Sequence, residues 1–191
     1  MERVFQPAFE DVFRKDHILK GKWKKKVFQN DHPLVLELGC GKGEYTVGLA
    51  KRYPENNFIG VDIKGNRIWK GAREANEDQL LNAAFLRTRI EMIDSFFEKD
   101  EVSEIWLTFP DPQLKKRRKK KRLSGVKFLT LYQKFLVNNG QIHLKTDNSV
   151  LYHFTYDLAR FNNLDIQIAT DDLYHSGMAN DILSIKTFYE K

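Results

Sequence analysis

Between residues 33 and 170, short apolar runs rich in branched side chains alternate with stretches in which apolar positions recur every three or four residues. The runs PLVLELG (33–39), NFIGVDI (57–63), AAFLRT (83–88), EIWLTF (104–109), QIHLKT (141–146) and LDIQIAT (164–170) read as strands. The stretches 44–53, 67–81, 90–97, 126–137 and 149–161 carry the helical period. Pro54 closes the first helix, Pro110 ends the fourth strand and Gly140 introduces the fifth. This order predicts an α/β fold, a mostly parallel sheet with helices on both faces, as one domain over 34–191. A polar, basic arm is expected to precede it, to about Pro33.

In such sheets ligands bind outside the carboxyl ends of the strands. The positions to inspect are therefore Glu37 to Gly43, Asp62, Arg89 to Glu91, Phe109 to Pro112, and Lys145 to Asp147.

Charge sharpens the picture. The formal balance is +6, and without the eight consecutive basic residues Lys115 to Arg122 it would be −2, with 24 bases against 26 acids. A second cluster spans Lys20, Lys22, Lys24, Lys25 and Lys26. Two such clusters on a nearly neutral body suggest a phosphate-rich partner, because neutralising phosphates releases counterions. The alternative is a solvated charge run or a localisation tag. No stretch has the length of a membrane span, and the N-terminus lacks the apolar core of a signal peptide. One cysteine, Cys40, permits no internal disulfide and fits a reducing cytoplasm. The histidines, five in all, have no metal-ligand spacing, so no metal site is expected.

The loop LELGCGKGEYT sets Gly39, Gly41 and Gly43 between a strand and a helix, so a ligand can approach backbone that side chains would block. Asp62 ends the next strand, where an acid accepts ribose hydroxyls. The spacing is G-x-G-x-G rather than the dinucleotide fingerprint G-x-G-x-x-G, and Glu37 precedes it. A carboxylate there repels a pyrophosphate but suits the ammonium of a methionine moiety. S-adenosylmethionine is thus favoured over a dinucleotide, and the sequence resembles class I methyltransferases, whose fold is Rossmann-like. Cys40 has no paired base and reads as a small loop residue.

Two prolines bracket Asp111 and hold its carboxylate at the sheet edge directly before the basic run. With FPDPQLKKRRKKKR (109–122), KTDN (145–148) and TFYE (187–190) in that order, the chain resembles the bacterial single-subunit tRNA guanine-N7 methyltransferases. The resemblance implies methyl transfer from S-adenosylmethionine to N7 of a guanosine in the tRNA variable loop. It implies that Glu37 and Asp62 bind the cofactor, and that Asp111 is the active-site aspartate and also touches the cofactor. Lys115, Arg117, Arg118, Lys119, Lys120, Lys121 and Arg122 correspond to the substrate-contacting basic segment. Asp147, Thr187 and Glu190 correspond to residues that hold the base. Three departures stand out. Gln113 replaces the family's tryptophan; Arg89 replaces an aspartate near the adenine, so either Glu91 two residues on substitutes or the adenine is held otherwise; and the chain ends one residue after Glu190, so the final strand is expected to be missing. Two other readings stay open. One is an amino-methyltransferase of RNA or DNA, although its Asp/Asn-Pro-Pro-aromatic loop is replaced here by Pro-Asp-Pro-Gln. The other is a non-catalytic RNA-binding protein on a methyltransferase scaffold.

Overall fold

A computed structural model describes residues 3–172 and Ile185. In chain order its regular elements are β1 (Val4–Phe5), β2 (Leu34–Leu38), α1 (Glu44–Arg52), β3 (Asn57–Asp62), α2 (Gly65–Glu77), β4 (Ala83–Arg87), β5 (Val102–Thr108), α3 (Val126–Tyr132), β6 (Leu136–Lys145) and α4 (Ser149–Phe161). The strands form one sheet in the order β1-β4-β3-β2-β5-β6, and every neighbouring pair is parallel. Strands β2 and β3 are buried along their whole length, which is why they appear in the sequence as continuous apolar runs.

Two apolar layers sandwich the sheet. One holds Leu34, Leu36, Ile59, Val61, Ile105 and Leu107 with the aromatic group Trp23, Phe97, Phe128 and Tyr132; the other holds Val35, Phe58, Phe85 and Trp106 under α1 and α2. The alternation of strand residues between the two lists is the two-residue period of the pleat. No helix among the described residues is long and apolar enough to cross a membrane.

The N-terminal segment, expected as a basic arm, builds part of this core. Val4 and Phe5 pair with Phe85 and Leu86 of β4. Trp23 sits in a single wide helical turn, Trp23–Phe28, and is fully buried; it stacks on Phe97 at 5.5 Å and donates its indole N–H to the Phe96 carbonyl at 2.8 Å. A run of lysines hides this signal, since their charged heads stay in water while the intervening indole turns inward.

Three expected elements differ. The stretch 90–97 forms a tight 3-10 turn, Ile90–Ser95. The helix expected over 126–137 stops at Tyr132, and β6 begins at Leu136 with an irregularity that displaces its register against β5 between Val102 and Glu104. Asn139 adopts a left-handed φ of 60° in that irregular stretch. The strand expected over 164–170 does not form: the segment has no ladder to β6, and Leu164 and Ile168 are 45% and 73% exposed. Alternating apolar residues suit a half-buried strand, but a ladder partner decides whether one forms.

Candidate active site

The strand order reverses between β2 and β5, so the loops leaving them diverge and open a crevice at their carboxyl ends. Pairing of Glu37 with Trp106 brings the glycine loop and the Asp111 loop out side by side.

The glycine loop is held from below by one strand carbonyl and from the side by an acid. Gly39 and Cys40 donate their N–H groups to the Val61 carbonyl at 2.8 and 3.0 Å. Asp62 accepts from the Gly41 N–H through Oδ2 at 3.0 Å and from the Lys64 N–H through Oδ1 at 2.8 Å. Gly43 is required twice over: its φ is 77°, and a Cβ would lie 2.7 Å from Cε1 of Phe85. Gly41, with φ 55°, faces nothing within 4 Å, so the loop presents bare backbone to open space. This open face above a carboxylate fits the adenosine and methionine parts of S-adenosylmethionine.

Glu37 is 4% exposed. Its Oε2 accepts the N–H and hydroxyl of Thr46, and its Oε1 accepts the Thr108 hydroxyl at 2.6 Å. Three of the roughly four acceptor directions of a carboxylate are thereby filled, and one is left. Gly43, at the start of α1, has no side chain to cap the helix, and Glu37 caps it instead from the neighbouring strand. Burial pushes its carboxyl up to about 7, against the lowering effect of the Thr108 and Thr46 hydrogen bonds. Thr46 and Thr108 went unmarked in the sequence; the readable signal is a buried strand acid followed by hydroxyl residues at the next helix start and the neighbouring strand end. Burial and the charges of Glu37, Asp62 and Glu44 raise the Cys40 thiol well above the usual range, which makes it inert.

Asp111 is exposed on a loop bounded by two left-handed residues, Phe109 (φ 46°) and Gln113 (φ 48°). Its Oδ1 accepts the Gln113 N–H at 2.9 Å, an Asx turn that leaves the other oxygen to a ligand. The Oε1 of Gln113, where the resemblance expects tryptophan, is buried without a hydrogen-bond donor among the described residues. Beside the loop, the buried Lys145 holds its ammonium 5.4 Å from the Tyr45 ring centre and 5.3 Å from that of Phe109.

Lys115 to Lys121 are all exposed, and Lys116–Lys121 form a 3-10 turn. Arg122 departs from them. It is 2% exposed, its Nε donates to the Pro112 carbonyl at 2.9 Å, and its guanidinium lies 4.3 Å from the centre of the Phe154 ring on α4. It ties the end of the basic run back to the Asp111 loop, so its placement is that of a brace and not of a phosphate contact. Asp147 is exposed in the loop after β6, on the same edge. Arg89 and Glu91 are exposed at the end of β4, and the charge of Glu91 adds to burial in keeping the Tyr132 hydroxyl protonated. Thr187 and Glu190 lie outside the described residues. No cluster of His, Cys, Asp and Glu that could hold a metal occurs among the described residues.

The two basic clusters do not form one surface. Gly21 and Trp23 donate their N–H groups to Glu101, which precedes β5, so Lys20 to Lys26 sit at the opposite edge of the sheet from Asp111.

Residues 31–191 match the model of a family described as putative methyltransferase. The chain is 57% identical over 174 residues to the tRNA (guanine-N(7)-)-methyltransferase of Porphyromonas gingivalis, covering 91% of this chain and 70% of the relative. It is 53% identical over 188 residues to the enzyme of the same name from Bacteroides fragilis, covering 98% and 74%. The chain belongs to the tRNA (guanine-N(7)-)-methyltransferase family. In this chain a glycine loop, the strand-end acid Asp62 and the proline-bracketed Asp111 open onto one crevice. Among solved structures, the aminoglycoside resistance methyltransferase NpmB1 superposes with a TM-score of 0.55 at 16% identity, covering 86% of this chain and 78% of that one. The antibiotic-resistance methyltransferase Kmr gives 0.51 at 17% identity, with 64% of each chain covered. At that identity the likeness is one of fold: a Rossmann-like class I methyltransferase sheet.

Proposed function

We infer that this protein transfers the methyl group of S-adenosylmethionine to N7 of a guanosine in tRNA, in the variable loop, within the cytoplasm. The observation that carries the reading is the convergence, at one sheet edge, of the open glycine loop, Asp62, Asp111 and an exposed basic turn.

S-adenosylmethionine supplies an electrophilic methyl group on a positively charged sulfur. The side chains around it bind and align. Asp62 has acceptor capacity left for ribose hydroxyls, Glu37 keeps one acceptor direction toward the methionine end, and Glu91, exposed after β4, is the candidate for the adenine side. N7 of guanine already carries a lone pair, so no base has to remove a proton from the attacking atom. Methylation leaves the guanine ring positively charged, and Asp111 with Asp147 opposes that charge as it develops. The N1–H and exocyclic amine of guanine also match carboxylate acceptors, with Asp111, Asp147 and Glu190 as the candidates and the Thr187 hydroxyl as a further contact to the base. Adenine lacks this donor pair and is rejected because it leaves the acids unpaired. Lys115 and Arg117 to Lys121 take phosphates and hold the loop in register. Residues 34–191 form the catalytic domain, and the N-terminal segment completes its core.

The deciding experiment incubates the protein with S-adenosylmethionine and unmodified tRNA, digests the RNA and weighs the nucleosides. 7-Methylguanosine is expected. A methylated exocyclic amine on adenine or cytosine would favour the amino-methyltransferase reading, and cofactor binding without any product would favour the non-catalytic one.

A further inference from the structure

Helix α2 carries its charges against its own dipole. Lys64 directly precedes the helix and Arg67 and Lys70 follow at three-residue spacing in its N-terminal half, where the first turn contains no acid; Arg73 continues the spacing past the midpoint. Its acids, Glu74 and Glu77 with Asp78 just beyond, gather at the other end, where the last turn contains no base. Both placements are unfavourable beside helix termini of the same sign. The acidic end is compensated: Lys51 reaches Glu74 at 3.0 Å and Asp78 at 2.7 Å, and Arg73 reaches Glu77 at 3.5 Å. Lys64, Arg67 and Lys70 have no carboxylate within ion-pair distance among the described residues.

The direction of this polarity has a structural consequence. α2 returns antiparallel to β3, so its positive end lies at the same sheet edge as Asp111. There it borders a groove of about 800 Å³ lined by Gln6, Lys64, Asn66, Trp69 and Arg87. Trp69 is 53% exposed, and the Arg73 guanidinium sits 4.8 Å from its ring centre. Arg87 is held against the groove by its bond to the Ile63 carbonyl at 3.2 Å. Strand β4 is three places from β5 in the sheet, which puts the groove about 15 Å from the Asp111 strand at the usual strand spacing.

An exposed indole near Lys64, Arg67 and Lys70, which lack carboxylate partners among the described residues, matches one chemistry: a polyanion that also offers flat rings. Phosphates meet Lys64, Arg67, Lys70 and Arg87, and an unstacked base meets Trp69. We propose that the N-terminal half of α2, with Trp69 and Arg87, is a second RNA-binding surface, which holds a part of the substrate tRNA remote from the methylated guanosine. The inference rests on the tRNA reading above. The surface is separate from Lys115 to Lys121 and gives affinity without entering the chemistry.

The test measures binding of unmodified tRNA to the full chain over a range of salt, for the wild type, a Lys64→Ala/Lys70→Ala double variant and Trp69→Ala. Calorimetry with S-adenosylmethionine and thermal melts accompany each. The double variant is expected to bind tRNA at least about tenfold more weakly at low salt, and its plot of log affinity against log salt to flatten by about 1.4–1.8, the loss of two phosphate contacts. Trp69→Ala is expected to lose about tenfold with an unchanged slope. Cofactor affinity, melting temperature and kcat at saturating tRNA should stay within twofold or within error. Unchanged tRNA affinity and slope in variants that melt normally overturn the proposal and leave α2 a solvated charged face. A matching loss of cofactor affinity also overturns it, by assigning the groove to the adenosine subsite. Absence of tRNA binding by the wild type instead removes the tRNA reading itself.

Discussion

Glu37 links the packing of the site to pH. Its carboxyl titrates at about 7 in the fold, raised from 4.5 by burial, so the folded chain keeps this proton over a range in which the unfolded chain has lost it. The sign follows: between those values the native state binds more protons, and stability falls as pH rises, being fully present below about 4.5 and lost by the time pH has passed about 7. Taking both values at face, the loss between about pH 5 and about pH 8 is on the order of 2.5 kcal/mol. For a domain of this size that is about 5–10 °C in melting temperature. Glu37→Gln keeps the shape, its amide oxygen accepting from Thr46 and its amide N–H donating to the Thr108 hydroxyl oxygen, but it cannot ionise. Other shifted groups, among them Glu101 (raised), Glu104 (lowered) and His17 (lowered), contribute equally to both proteins and cancel in the comparison. Urea unfolding of wild type and Glu37→Gln at the two pH values therefore isolates this carboxylate. The variant is expected to gain on the wild type by about 2–3 kcal/mol on going from low to high pH. Parallel stabilities at both pH values would falsify the claim that Glu37 is held in a desolvated, strongly perturbed state.

Arg122→Ala removes a charged hydrogen bond to Pro112 and a buried cation–π contact with Phe154, and is expected to cost about 3 kcal/mol in urea unfolding. In Arg122→Lys, which keeps the charge, kcat should fall with KM for tRNA nearly unchanged; a raised KM with kcat intact would return Arg122 to the phosphate contacts. Asp111→Asn should lose at least about a hundredfold in turnover with its melting temperature unchanged, measured by single-turnover methylation, and near-normal rates would remove it from the active site. Replacing Arg117, Arg118, Lys119 and Lys120 by alanine should weaken tRNA binding and flatten its salt dependence by about 3, because these exposed cations contribute mainly by counterion release. An unchanged slope there would assign the gripping role elsewhere.

The elements that order the site were legible because their signals are local. Buried parallel strands show as unbroken apolar runs, a turn before a helix shows as glycines with φ that other residues avoid, and prolines mark the loop that fixes Asp111. Composition located the basic run. What failed was whatever depends on a partner distant along the chain. The run 164–170 has the alternation of a strand, yet strandhood requires a ladder of hydrogen bonds that the described fold does not supply. Lys115 to Arg122 read as eight equal cations, although Arg122 turns inward onto a carbonyl and a ring 10 and 32 residues away.

The sequence by itself determined the order of strands and helices from β2 to β5, the flexible glycine turn and the identity of the groups at each strand end, since each follows from the preferences of neighbouring residues. Only the tertiary structure decided which of those groups work together. It made Glu37 a helix cap clamped by two threonines, drew Trp23 out of a lysine run into the core, and sent Lys20 to Lys26 to the far edge while placing the basic end of α2 on the same sheet edge as Asp111, three strands away. The reason is physical: periodicity records how each residue partitions between water and the interior, whereas the charge and hydrogen-bond partners it meets there are set by strand order and helix direction, which emerge only when the whole sheet closes on its core.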